Sequence, residues 1–85
     1  MNVQAEVSIY PLKTNAVGSV IDEFLKQLKR PGLELEIGTM STLINGELPE
    51  VFHALAEAFA LSATRERVVL VMKASNACPA KAPLR

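Results

Sequence analysis

Val3-Gln4-Ala5-Glu6-Val7-Ser8-Ile9-Tyr10, followed by Val17, Val20, Ile21, Phe24, Leu25 and Leu28, is the stretch whose reading decides the fold. Val3, Ala5, Val7 and Ile9 alternate with Gln4, Glu6, Ser8 and Tyr10, the period-two pattern of a strand with one apolar and one polar face. Pro11 has no backbone donor and is expected to end the ladder. The six later residues fall at i, i+3, i+4, i+7, i+8 and i+11, one apolar stripe of a helix about three turns long. Asn15 stands where a cap is needed, and Lys26, Lys29 and Arg30 crowd the far end, as the helix dipole favours. Pro31-Gly32 stops the helix.

The pattern then repeats. Leu33, Leu35 and Ile37 alternate with Glu34 and Glu36, which predicts a second strand. Gly38-Thr39 reads as a turn or bulge, Met40 to Asn45 as a third strand, and Gly46 as its end. Pro49 suits the first turn of a second helix, whose apolar stripe is expected at Leu48, Val51, Phe52, Leu55, Ala56 and Phe59. Arg67 to Ala74 predicts a fourth strand, apolar on both faces through Val68-Val69-Leu70-Val71-Met72. The order β-α-β-β-α-β is the split βαβ, or ferredoxin-like, arrangement. Right-handed crossovers place both helices on one face of a four-stranded antiparallel sheet, an α+β sandwich. Residues 1–75 make one domain, and 76–85, small and Pro-containing, are expected to be a disordered C-terminal tail.

One face of that sheet is left bare by the chain itself. Gln4, Glu6, Ser8 and Tyr10 belong there, together with one of the two apolar sets of the fourth strand. Small monomers rarely leave such a stripe open. A second copy packing sheet to sheet about a two-fold axis is the simplest cover, so a homodimer is expected.

With 85 residues, nine Lys+Arg and nine Asp+Glu, the formal net charge is zero, which argues against nucleic-acid binding. No apolar run approaches the roughly 18–20 residues of a membrane span, and residues 1–6 lack the character of a secretory signal. A cytoplasmic protein is the expectation. Cys78 stands alone, so neither a disulfide within the chain nor a thiolate metal cluster is expected. His53 has no second histidine and reads as a solvated or half-buried structural residue. Ser8, Ser41 and Thr42 have no neighbouring base, and the four glycines form no phosphate-cradling loop. Arg30, Arg65, Arg67 and Arg85 all lie outside the first strand and its loop, which argues against an acylphosphatase-like anion cradle. No enzyme, metal site or cofactor is expected.

The polar residues that gather are Glu6, Ser8 and Tyr10 from the first strand, with Thr42, Asn45 and Glu47 from the third strand and its exit. The two strands are central neighbours in this topology, so the two sets can meet. Carboxylates, hydroxyls, an amide and an aromatic ring suit a small cationic ligand with hydrogen-bonding edges. The same residues equally suit a wet interface between copies, in a structural or regulatory oligomerisation domain without a small ligand.

The stretch Gln4-Ala5-Glu6-Val7-Ser8-Ile9-Tyr10-Pro11-Leu12, and later Glu36-Ile37-Gly38-Thr39-Met40-Ser41-Thr42-Leu43-Ile44-Asn45-Gly46-Glu47, resembles the thiamine-binding protein family, over residues 3 to about 74. The resemblance implies ferredoxin-like sheets that pair into dimers and further into tetramers. It also implies binding of thiamine or its hydroxymethylpyrimidine moiety for uptake, salvage or carriage. The matching positions are Glu6, Ser8, Thr42 and Glu47. Asn45 stands where relatives often carry a carboxylate.

Overall fold

Alternating side chains on the first strand divide the molecule into a covered and an open side. The computed structural model describes residues 1–77, in the order β1 (Asn2–Leu12), α1 (Val17–Gln27), β2 (Glu34–Ile37), β3 (Thr42–Glu47), α2 (Leu48–Arg65) and β4 (Arg67–Ser75). The strands form one antiparallel sheet ordered β2-β3-β1-β4, and the fold is ferredoxin-like, with both helices on one face. Val3, Ala5, Val7 and Ile9 are buried against Phe24 and Leu28 of α1 and Val51, Ala54, Leu55 and Ala58 of α2. Burying each larger aliphatic side chain is worth about 1.5–3 kcal/mol, so this aliphatic layer supplies the main cohesion.

Pro11 does not end β1, which continues to Leu12 with Pro11 opposite Val68. The Leu48 amide donates to the Met1 carbonyl at 2.9 Å, which sets the alternation along β1. Odd residues turn their backbone groups toward β3, and even residues toward β4. The position of the missing donor at Pro11 therefore points to the β3 side, where β3 has not yet begun, and no ladder bond is lost.

α1 starts without the expected cap. Ala16 is the N-cap and its side chain makes no capping bond. The chain is instead turned by Lys13 in the left-handed region (φ 52°), and the Ala16 amide donates to Thr14 Oγ1 at 3.0 Å. At the other end Arg30 Nε donates to the Gln27 carbonyl at 2.8 Å, and Gly32 takes φ 88°, which an L side chain adopts only with strain.

The buried stripe of α2 is Val51, Ala54, Leu55, Ala58 and Ser62. Phe52 and Phe59, expected in the core, are 43% and 37% exposed. They sit on one flank because the side facing α1 is taken by Glu57, Leu61 and Arg65. Arg30 Nη1 meets Glu57 Oε1 at 2.6 Å, and Arg65 Nη1 stands 3.9 Å from Glu23 Oε1. The Arg30 hydrogen bond, then the nearby His53, holds the Glu57 carboxyl below its ordinary range. His53 itself lies at the surface, 3.5 Å from Glu57.

Gly46 allows β3 to pass close under α2 and the β2 approach. A Cβ there would lie 2.5 Å from Leu33 Cδ2 and 3.3 Å from Val51 Cγ2. Ala77 ends the described chain, so Cys78 and most of the expected tail lie outside the described residues.

Candidate ligand slot at the end of the third strand

β3 starts at Thr42, two residues later than the alternation predicts. Thr42 is the last partner of Val7, so β1 from Ser8 onward has β4 on one side and no strand on the other. Residues 38–41 cross this gap as a loop, closed by the Gly38 amide donating to the Ser41 carbonyl at 2.9 Å. The result is a slot of about 270 Å³. It is walled by Val7 to Tyr10 of β1, by Ile21, Phe24 and Leu25 of α1, and by the loop. That volume sits just below the roughly 300 Å³ at which drug-sized pockets begin, which suits a single small ring. A wider hollow of about 790 Å³ lies between Leu12, Lys13 and residues 63–68. It is a shallow bay of mixed charge without apolar walls on three sides, and the slot is the better-formed site.

The polar groups in the slot are few. Thr42 is only 5% exposed and its hydroxyl has no hydrogen-bond partner among the described residues. A polar ligand edge placed against it would give that hydroxyl a partner. By the alternation of β1, the amide and carbonyl of Ile9 also turn toward the gap, offering a donor beside an acceptor. Tyr10, half exposed, stands at the mouth. Ser8 Oγ and Ser41 Oγ hold the loop, donating to the Met40 carbonyl at 3.4 Å and to Glu6 Oε2 at 2.9 Å.

Of the six polar residues singled out by sequence, the slot brings Ser8, Tyr10 and Thr42 together, with Glu6 at its rim through Ser41. They do not share one face. Thr42 lies opposite Val7 and so faces the helices, whereas Glu6, Ser8 and Tyr10 face the open side. Asn45 and Glu47 are elsewhere. Asn45 pairs with Gln4 and Glu34 on the open face, and Glu47 pairs with Asn2, about 17 Å along β3 from Thr42. Glu47 binds the Met1 ammonium at 2.9 Å. Asn45 Oδ1 is buried without a partner among the described residues.

Charge follows the same division. Hydrogen bonds from Ser41 and then Lys73, with the Lys73 charge, hold the Glu6 carboxyl below its ordinary range. Lys73 Nζ lies 3.1 Å from Glu6 Oε1. Both carboxylates expected to balance a cation thus already have cationic partners, and the slot itself is neutral. Sequence reasoning did not find Ile21, Phe24, Leu25, Met40 or the Ile9 backbone. The Gly38-Thr39 break was the available signal, since a strand that starts late leaves its neighbour unpaired. Among the described residues there is no cluster of three metal-capable side chains, and no helix is long and apolar enough to cross a membrane.

Comparison with solved structures gives close matches. A hypothetical protein from Methanocaldococcus jannascii superposes with a TM-score of 0.80 at 32% identity, over 88% of this chain and 79% of its own. A protein from Streptococcus pneumoniae gives 0.81 at 21% identity, over 88% of this chain and 86% of its own. A Thermotoga maritima protein provisionally assigned to thiamine biosynthesis or salvage gives 0.77 at 21%, over 87% of this chain and 82% of its own. The last two share the fold. No curated protein matches. A family profile described as thiamine-binding protein matches residues 5–80, nearly the whole length, and the chain belongs to the thiamine-binding protein family.

Proposed function

We propose that this protein is a non-catalytic carrier of thiamine or its hydroxymethylpyrimidine moiety, serving uptake, salvage or carriage in the cytoplasm. The observation that carries the reading is that Thr42, whose hydroxyl has no hydrogen-bond partner among the described residues, lines the slot beside Ile9, whose backbone groups no neighbouring strand pairs on that side. A flat aminopyrimidine has a donor and acceptors on its edge and apolar faces, which match those groups and the walls of Ile21, Phe24 and Leu25. Because Glu6 is neutralised by Lys73, the slot favours the uncharged pyrimidine, and a thiazolium would lie outside it near Tyr10. Calorimetric titration with thiamine and with hydroxymethylpyrimidine tests this. Saturable heat from both is expected, and no heat from either on folded protein overturns the reading.

The protein also acts, in this reading, as a homodimer packed through the open sheet face, with assembly to a tetramer open to it. Val69 and Val71 are 43% and 51% exposed on that face beside Tyr10 and Leu12. The buried, orphaned Asn45 Oδ1 calls for a donor from outside the chain. Glu34, Glu36 and Glu47 lie toward one side of the face and Arg67 and Lys73 toward the other, which lets two copies meet with opposite charges opposed.

A further inference from the structure

We infer a second binding site on this chain, for an oxyanion of the phosphate class, in the hollow of about 790 Å³ where β1 ends, α2 ends and β4 begins. The topology brings its walls together. Leu12, the last residue of β1, pairs with Arg67, the first of β4, so Lys13 leaves the sheet beside the Arg65-Glu66-Arg67 corner that joins α2 to β4. Lys13, Arg65 and Arg67 all line the hollow, and Glu66 is the only carboxylate among its lining residues. In a chain whose formal charge is zero, this is a local excess of two positive charges.

Little at the site discharges that excess. Lys13 and Arg67 make no ion pair among the described residues. Arg65 stands 3.9 Å from Glu23. Glu66 is held toward the start of α1, where its Oε1 accepts from Thr14 Oγ1 at 3.3 Å. The end of α2 opposes an anion with about half an elementary charge. Two of its last carbonyls are already bonded, Leu61 by Thr64 Oγ1 at 2.7 Å and Ser62 by the Glu66 amide at 3.0 Å, so the cationic excess prevails. Lys13 supplies an independent sign. It holds φ 52°, a left-handed conformation that Gly, Asn or Asp adopts more easily. A lysine kept at the rim of the hollow, where the turn itself favours another residue, is backbone strain of the kind that collects at functional positions.

Two carriers present this chemistry: free inorganic phosphate, and a phosphate ester on the guest of the slot, the latter resting on the proposed function. Tyr10 stands at the mouth of the slot. With strands about 4.8 Å apart and a rise of about 3.4 Å per residue, the Cα atoms of Tyr10 and Arg67 are roughly 8 Å apart, and Lys13 follows three residues on. A guest with its pyrimidine in the slot and its thiazolium at Tyr10 can therefore bring an ester phosphate on its hydroxyethyl arm to Arg67 and Lys13. The hollow is far larger than one phosphate, as suits an anion that arrives on a larger molecule. Residues 63–65 belong to the helix layer, so the hollow opens at the end of the sheet and stays accessible beside a copy packed on the open face.

Heteronuclear NMR and calorimetry on the full chain test the site, with inorganic phosphate, thiamine and thiamine monophosphate as probes. Inorganic phosphate should move the resonances of Lys13 and Arg67 saturably, beyond chloride at equal ionic strength. At low salt the monophosphate should bind about tenfold more tightly than thiamine, and about 0.5 M salt should remove most of that advantage. Lys13→Asn with Arg67→Gln, which keeps a residue suited to the left-handed turn, should abolish both effects and leave thiamine affinity as in the parent. A response to inorganic phosphate with no gain for the ester assigns the site to the free anion, and a gain for the ester assigns it to the guest; either upholds the proposal. No response to either phosphate overturns it, as does a response that survives the double substitution. If thiamine gives no heat while phosphate still acts on Lys13 and Arg67, the carrier reading fails and this site stands. If the double variant does not fold, the chloride-controlled shifts on the unaltered protein decide alone.

Discussion

Ser41 Oγ donates to Glu6 Oε2 at 2.9 Å, joining the loop that roofs the slot to the centre of the open sheet face. Glu6 is held on its other side by Lys73, so one carboxylate sets both the loop position and the neutrality of the site. The loop is therefore sensitive to the ionisation of a group outside the slot.

That relationship has a definite pH dependence. The Glu6 carboxyl is lowered from 4.5 in the folded protein, by Ser41 and then by Lys73. A depressed folded value means the latch contributes fully above the unfolded value and is lost as pH falls through the folded one. Carboxyl-detected NMR should show Glu6 titrating below the ordinary glutamate range, with Ser41 and Met40 resonances moving in the same step. Ser41→Ala should shift the Glu6 midpoint upward toward 4.5.

Thr42→Val separates binding from stability. The swap keeps the shape and removes a hydroxyl without a partner, so urea unfolding should change by less than about 1 kcal/mol. Pyrimidine affinity should fall about tenfold, the worth of roughly 1.4 kcal/mol. A variant that binds as well as the parent would remove Thr42 from the site.

Gly46→Ala is expected to destabilise by about 1–3 kcal/mol, because the new methyl meets the Leu33 side chain, Val51 and the Gly32 carbonyl. Chemical denaturation reads this directly. The slot lies at the other end of β3, so affinity per folded molecule should hold.

Phe24→Ala should cost about 3–5 kcal/mol, since the ring is 1% exposed and packs in the core. The same ring lines the slot. Any variant that remains folded should also bind a pyrimidine more weakly, a joint loss that Leu28→Ala, buried away from the slot, should not produce.

Val71→Lys places a charge on the β4 side of the proposed face-to-face dimer, at a side chain that is half exposed in the monomer. Sedimentation should show a lower mass with an unchanged circular dichroism spectrum. An unchanged mass would argue that the open face is not an interface.

Much of the fold was legible because two periodicities are cleanly written: the alternation at Val3 to Tyr10 and the stripe from Val20 to Leu28 leave one arrangement of the first unit. The second helix was harder. Alanines at 54 and 58 face the sheet while phenylalanines at 52 and 59 do not, so ranking by side-chain size misplaced the buried stripe by part of a turn. Pro11 misled for a related reason, since a missing donor matters only where a strand lies opposite. The site was legible in part. Polar residues on strands could be found by type, but Thr42 and Asn45 are separated by an odd number of positions and therefore occupy opposite faces. The Ile9 backbone and the apolar walls carry no sequence signature of their own.

The late start of β3 leaves a window in the sheet, framed on one side by β1 residues that β4 already holds and backed by apolar side chains of α1. Its width is governed by the four residues from Gly38 to Ser41, a segment free to lengthen or shorten without moving the layers around it. A descendant of this chain could thus exchange one small guest for another by trading residues in a single crossing, while its scaffold stays as it is.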